Sequence, residues 1–314
     1  MLVIQKSNTL SSNFADDYED IIFNRLTKVI NSGLSKTEKR KKAITLSANE
    51  KKILSRLTKK SIRYLITANP TALKRIIKFL ERFPSLQDKT SNIYKILYNV
   101  FVRNGYENKK MDKFKFIKDI GLKSCAYCNR TYIFTINKNR NLKPEIDHFY
   151  PKALYPYLAM SYYNLIPSCP TCNGFGAKGG KDSYKDKLKN PYSLKNDDFK
   201  FSFDINSVNI INNKIDENSI DIKLKKSIKG NNDYFQLENL YKEHRDIVVE
   251  LYQKLYQKNT KEYFQTLSDS LEGLNLDEDE IHRLITCGYG KDEDLHKRPL
   301  SKLIKDISQE LGLL

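Results

Sequence analysis

Cys125 and Cys128 form one Cys-x-x-Cys pair, and Cys169 and Cys172 form a second far along the chain. Two thiolates separated by two residues can bite one metal ion from a tight turn. Two such turns complete the tetrahedral, all-sulfur shell of a structural zinc, with no open position. The rival readings are two disulfides or four unrelated thiols. Between the pairs lies Glu145-Ile146-Asp147-His148-Phe149-Tyr150-Pro151-Lys152, and Asn173 directly follows the second pair. An aspartate supplies a hard oxygen ligand for a divalent cation. A histidine, titrating near about 6.5 when unperturbed, can take a proton from water at neutral pH.

Local patterning says how these groups are carried. Arg130 to Ile136 is rich in β-branched and aromatic residues, and Asn137 to Asn141 is turn-like. Lys143 to Phe149 can return as a second strand, which places Asp147 and His148 near a strand end. Asn164 follows in Tyr162-Tyr163-Asn164-Leu165-Ile166-Pro167, and the second cysteine pair leads into a short helix at Asn173. The text after it, Asn173-Gly174-Phe175-Gly176-Ala177-Lys178-Gly179-Gly180-Lys181, holds four glycines. Each weakens a helix by about 1 kcal/mol relative to Ala, so the helix is expected to be short. The Gly-x-x-x-x-Gly-Lys-Ser/Thr order of a P-loop is absent, and nucleotide binding is not expected.

This part of the chain resembles the HNH endonucleases, through Asp147-His148, then Asn164-Leu165, then Cys169-x-x-Cys172-Asn173. It covers roughly Cys125 to Lys181. The flanks Cys125-Ala-Tyr-Cys-Asn-Arg and Asp147-His-Phe-Tyr-Pro-Lys, with the later Phe235-Gln-Leu-Glu-Asn-Leu-Tyr-Lys-Glu-His244, are similar to the PtuB-type nuclease subunits of Septu and retron-associated anti-phage systems. The HNH resemblance implies a ββα-metal core with a four-cysteine zinc. It implies His148 as general base, with Asp147 and Asn173 as ligands of a catalytic Mg²⁺ or Mn²⁺. Oxygen donors of this kind favour those ions over zinc. Asn164 would tie the loop between the strands to the backbone and so position His148. The PtuB-type resemblance implies a partner ATPase subunit. Arg130, Lys152, Lys178 and Lys181 are candidate phosphate contacts, each with an ordinary solvated cation as its rival.

Charge agrees with a polyanionic partner. The 314-residue chain carries 55 Lys and Arg against 38 Asp and Glu, a net charge of +17. Residues 1–120 hold 26 basic and 11 acidic residues, so the excess lies in the N-terminal part. Contacts of this sort bind nucleic-acid phosphates by releasing counterions. The rival is a lysine-rich solubilising surface. No apolar run approaches a membrane span or a signal core, and reduced thiols suit metal binding, so a cytoplasmic chain is expected.

The expected architecture is α+β: a mainly helical protein around a central zinc-stapled ββα-metal core. Residues 1–120 read as a basic helical domain, 121–195 as the nuclease core, and 196–314 as short strands followed by helices. Helical periodicity marks Tyr18–Ile30, Ala48–Ile66, Pro70 to Leu80 before Pro84, and Ser91–Asn104 with Gly105 as a cap. Phe199–Ile205 and Ile220–Leu224 alternate as strands, with polar Asn206–Asn218 between them. One long helix is expected to carry Leu237, Leu240, Tyr241, His244, Ile247, Val248, Leu251 and Leu255 on one stripe, with His244 as a core histidine. His282 and His296 have no ligand-like neighbours in sequence. Asp277 to Glu280 is expected to start a helix, and Cys287 to be a buried apolar thiol. Two function classes fit: a metal-dependent nuclease cutting DNA or RNA, and a non-catalytic zinc-stapled adaptor that binds nucleic acid or a partner.

Overall fold

The computed structural model describes residues 1–34, 44, 46–136, 138–139, 142–206, 215–256 and 276–312. It is a mixed fold of helices and two small antiparallel sheets, as the patterning predicts. The turn at Asn137, Arg140 and Asn141, most of the 206–218 connection, and the Leu255 side chain lie outside the described residues.

The N-terminal part is helical. Helix α1 (Asn8–Ser32) is capped by the Ser7 side chain, which accepts from the Leu10 amide, and ends at Gly33 with φ 71°. It buries Phe14, Tyr18, Ile22, Leu26 and Val29, the one-face spacing of a 3.6-residue period. The expected helix over Ala48–Ile66 is two helices, α2 (Ala48–Leu54) and α3 (Lys59–Thr67). Thr58 interrupts it by capping α3 through the Ser61 amide, because a side-chain oxygen that satisfies a free amide starts a helix afresh. Helix α4 (Pro70–Leu80) starts with Pro70 inside an Asn69 cap, as expected.

Helix α5 (Asn92–Leu97) widens into π-type turns over Tyr98–Tyr106, so Gly105 is not the predicted cap. Its role is clearance: a Cβ there would lie 2.8 Å from Ile22 Cδ1 and 2.9 Å from Met160 Cγ. Helix α6 (Lys113–Ile120) ends on Gly121, in the left-handed region at φ 76°.

The central sheet pairs β1 (Glu145–His148) with β2 (Leu165–Ser168), and the single-turn helix α7 (Pro170–Asn173) follows at once. The hairpin expected between 130–136 and 143–149 is therefore replaced by this longer-range pair. Among the described residues Arg130–Ile136 forms no named strand: Tyr132 bridges to Ser124, the Ile133 amide donates to the Lys123 carbonyl, and the Ile136 amide donates to the Leu142 carbonyl at 2.8 Å. β-Branched and aromatic content marks a strand-like segment but does not choose its partner strand.

The second sheet pairs β3 (Lys200–Ile205) with β4 (Ile220–Lys226). Helix α8 (Lys229–Phe235) ends on Gln236, left-handed at φ 47°, and the predicted long helix over Leu237–Leu255 is broken at Glu243 and His244 into α9 (Leu237–Lys242) and α10 (Arg245–Tyr256). The chain ends with α11 (Glu278–Thr286) and α12 (Ser301–Leu311). Asp277 caps α11 in a capping box with Glu280, as its acidic start predicts. Cys287 is exposed as the left-handed residue that ends α11, and not the expected buried thiol. A chain-terminating turn turns its side chain out of the apolar stripe.

Two buried clusters result. The larger joins α1, α3, α4 and α5 to the cysteine segment and the central hairpin, and the smaller lies between the second sheet, α10 and α12. Among the described residues, no helix is long and apolar enough to cross a membrane.

Candidate functional site

The four cysteines converge. Their sulfur atoms all lie within 4.8 Å of one another, all four are buried, and none is in a disulfide. Cys128 and Cys169 Sγ are 3.9 Å apart. A Zn–S bond of about 2.3 Å in a tetrahedron requires sulfur pairs about 3.8 Å apart, so the donor set fits zinc. Backbone amides support the sulfurs: Arg130 donates to Cys128 Sγ at 3.4 Å and Cys169 to Cys125 Sγ at 3.3 Å. The first knuckle is closed by the Asn129 amide on the Cys125 carbonyl, with Asn129 left-handed at φ 53°. It is held from outside by the Tyr241 hydroxyl of α9, which donates to the Cys128 carbonyl at 2.6 Å. The second knuckle is α7 itself, begun by Cys169 and Pro170.

Register then places the chemistry. Glu145 pairs with Ser168 and His148 with Leu165, so β1 starts beside the second knuckle and ends away from it. Successive strand side chains point to opposite faces. Asp147 and Glu145 therefore share one face, and His148 takes the other.

On the first face, Asp147 is buried and accepts from the Tyr127 hydroxyl at 2.6 Å. Tyr127 lies inside the first cysteine pair and stacks on Phe235. The Lys178 ammonium lies 3.9 Å from Asp147 Oδ1 and donates to the His148 carbonyl at 3.3 Å. Burial raises the Asp147 carboxyl above its ordinary range, against the pull of Lys178 and Tyr127. Burial likewise lowers the Lys178 ammonium, against Asp147. Asn173 donates to Glu145 Oε2 at 2.7 Å. Asn173 thus reaches the same strand face as Asp147 through Glu145, with its amide oxygen not engaged by that bond.

On the second face, His148 Nε2 lies 3.1 Å from the Ala159 carbonyl. A carbonyl can only accept, so the neutral ring carries its proton on Nε2 and presents Nδ1 as the free lone pair. The Tyr106 ring meets the imidazole edge-on, 4.3 Å between centroids. Burial, with Lys152 nearby, lowers His148 to about 3, so the imidazole is neutral at neutral pH. The ammonium groups of Lys113 and Lys152 lie 4.1 and 5.0 Å from the centre of that same Tyr106 ring. Asn164, fully buried, closes the loop between β1 and β2. Its Oδ1 accepts from the Tyr150 amide at 2.7 Å, and its Nδ2 donates to the carbonyls of Tyr150 and Leu158.

Part of the chain is similar to one curated protein. Over 47 residues it is 49% identical to the Septu protein PtuB of Bacillus thuringiensis. That segment is 15% of this chain and spans 18% of the length of PtuB. No protein-family profile matches the chain, and no solved structure does.

The four basic residues singled out in sequence take different places. Lys178 is fully buried beside Asp147, not a surface cation, because its stem threads the core below the hairpin. Arg130 donates through Nε to His244 Nε2 at 2.8 Å. His244 is consequently half-buried in the turn between α9 and α10, a satisfied acceptor at the edge and not a core histidine. Lys152 pairs with Glu107 at 2.8 Å beside Tyr106. Lys181 is exposed, its ammonium 4.9 Å from the Tyr234 ring centre. Tyr106, Lys113, Tyr127 and the Ala159 carbonyl were not marked by the sequence. The only local signal was an aromatic inside a Cys-x-x-Cys pair, which by itself names no partner.

Proposed function

We propose that this chain is a metal-dependent endonuclease of the HNH kind, hydrolysing phosphodiester bonds of DNA or RNA, and the nuclease effector of an anti-phage system. The observation that carries the reading is the order strand–strand–helical turn with Asp147-His148 on the first strand, Asn173 on the turn, and an imidazole anchored through Nε2 so that Nδ1 is free. The similarity to PtuB supports the defence setting.

In this reading His148 Nδ1 takes the proton of the attacking water. The Ala159 carbonyl and Tyr106 ring hold the imidazole in one orientation and one tautomer, which is the geometric requirement for a general base. Asp147 and Asn173 are the protein ligands of a Mg²⁺ or Mn²⁺ ion; the carboxylate and amide oxygens suit such an ion. That ion, when bound, supplies charge stabilisation at the scissile phosphate and the leaving oxygen. Lys113 and Lys152, both beside the Tyr106 ring, would receive phosphate oxygens near the base. Asn164 holds the loop that carries the Ala159 carbonyl, so its role is to position. The four-cysteine zinc keeps the two halves of the site together without joining the reaction. By the PtuB-type resemblance, an ATPase subunit of the same system would restrain or direct the cut.

The test is cleavage of supercoiled plasmid and of total tRNA by wild type and His148→Ala, with Mg²⁺, Mn²⁺ or EDTA. Cutting that needs the ion and is lost in the variant supports the reading and identifies the polymer. A variant that cuts at the wild-type rate overturns the assignment of His148. A wild type that binds nucleic acid with and without Mg²⁺, and cuts neither alone nor with its co-purified ATPase, leaves the adaptor function in place of the nuclease.

A further inference from the structure

Phe175 is 95% exposed, which stands apart from every other large apolar side chain of the described residues. Lone exposed apolar residues are common; this one lies two residues beyond a candidate metal ligand. The loop around it is built. The Ala177 amide closes a turn on the Gly174 carbonyl, and the Lys178 amide returns to the Cys172 carbonyl. Gly179, left-handed at φ 47°, passes beneath: a Cβ there would lie 3.1 Å from Phe175 Cα and 3.6 Å from its Cδ1. That clearance lets the loop close under Phe175 while its ring points outward. Gly174 and Gly176 flank it, so no neighbouring side chain covers the ring. The loop is anchored at its two ends, by the cysteine knuckle and by buried Lys178, so the backbone that carries the ring is tied to the segment that holds Asn173.

We infer that Phe175 stacks its ring on a nucleobase next to the phosphate that Asp147 and Asn173 address. The inference rests on the proposed nuclease function for its ligand and deepens it, because it makes base exposure or unstacking at that step part of substrate recognition. Local charge selects the occupant: the segment after the loop exposes Lys181, Lys185 and Lys187 against Asp186, which suits a polyanion, and every base offers a π face to an aromatic ring. An apolar wedge at a base step is the equivalent device on a duplex.

The experiment measures binding of fluorescein-labelled single-stranded and duplex DNA and RNA in buffer without Mg²⁺, Mn²⁺ or chelator, so that no cleavage occurs and the zinc stays bound. It compares wild type with Phe175→Ala, Phe175→Leu and Phe175→Trp, and repeats the series with 2-aminopurine at successive positions. Because Phe175 is exposed, these variants are expected to keep wild-type zinc content and melting temperature. Stacking predicts a loss of affinity of about 5- to 150-fold for Ala. Leu should be weakened similarly and Trp should bind at least as well as wild type. Quenching of 2-aminopurine at one position should disappear in the Ala variant. Equal affinity of all four proteins overturns the inference even if the wild type cuts. So does a wild type that binds none of the probes. Affinity that depends on Phe175 in a protein that never cuts with Mg²⁺ keeps the stacking and removes the nuclease function.

Discussion

The Tyr127 hydroxyl donates to Asp147 Oδ2 at 2.6 Å, so a residue inside the first cysteine pair holds the carboxylate on the central strand. The zinc knuckle and the candidate catalytic face are therefore one mechanical unit. A shift of Cys125 or Cys128 moves Tyr127, and with it the hydroxyl that donates to Asp147. Phe235 stacked on Tyr127 adds the C-terminal helices to the same unit.

Tyr127→Phe keeps the ring and its stacking and removes one hydrogen bond. A bond to a charged group contributes about 1.5–3 kcal/mol. We expect a loss of that order in a urea titration, with one zinc per chain retained by atomic absorption and with weaker Mg²⁺-dependent cleavage. An unchanged urea midpoint would show that the bond contributes nothing.

Zinc should be inseparable from the fold of the site. Cys172→Ser, or a strong chelator, removes one corner of the tetrahedron and frees both knuckles. The expected result is loss of the bound zinc, a large drop in melting temperature, and loss of cleavage even in excess Mg²⁺. Retention of cleavage after complete zinc removal would contradict this arrangement.

Lys178→Met should destabilise the protein most when no divalent ion is present. The buried ammonium 3.9 Å from Asp147 is the nearest cation to that carboxylate. Removing one partner of a buried pair costs about 3–5 kcal/mol. If Asp147 binds a divalent ion, Mg²⁺ or Mn²⁺ should restore part of the lost stability in Lys178→Met and less in Lys178→Met with Asp147→Asn. Identical melting temperatures with and without the ion in both variants would argue against Asp147 as a ligand.

Stability should fall as pH is lowered through the histidine range. All four histidines are held below their ordinary value, chiefly by burial, and His148 is lowered from 6.5 to about 3. Between those pH values the unfolded chain binds the proton and the folded His148 does not. The unfolded state therefore gains protons, and ΔG of unfolding falls as pH drops from 6.5 towards 3, by at most about 1.4 kcal/mol per pH unit for this residue. Asp147 and Asp306, both raised by burial, act in the opposite sense: they hold protons in the folded chain that the unfolded chain releases above 3.8, so their contribution is lost as pH rises. The difference between wild type and His148→Gln isolates the imidazole. A pH-independent difference would refute the neutral, buried ring.

Gly105→Ala should cost about 1–3 kcal/mol by overpacking against Ile22 and Met160. A melting temperature equal to wild type would show that α1 and the 156–160 turn can give way.

The sequence by itself determined the features that are local. Cys-x-x-Cys spacing brings paired sulfurs together within one turn. Asn69 with Pro70, Asp277 with Glu280, and Gly121 punctuate helices through their own backbone chemistry. The apolar period of α1 and the alternation of 200–205 and 220–224 report faces within one element. The short α7 follows from the glycines after Asn173. What the tertiary structure decided is which faces meet. Arg130–Ile136 has the β-branched and aromatic composition of a strand, yet β1 pairs with β2, because composition carries no information about the partner. Lys178 looks like any surface lysine until the loop after α7 folds its ammonium under Asp147. Tyr127, Tyr106 and the Ala159 carbonyl become parts of the site only when segments remote in sequence are packed together, and Cys287 is turned outward only by the left-handed end of α11. Periodicity is a property of one element; a buried hydrogen bond between two elements is a property of their packing.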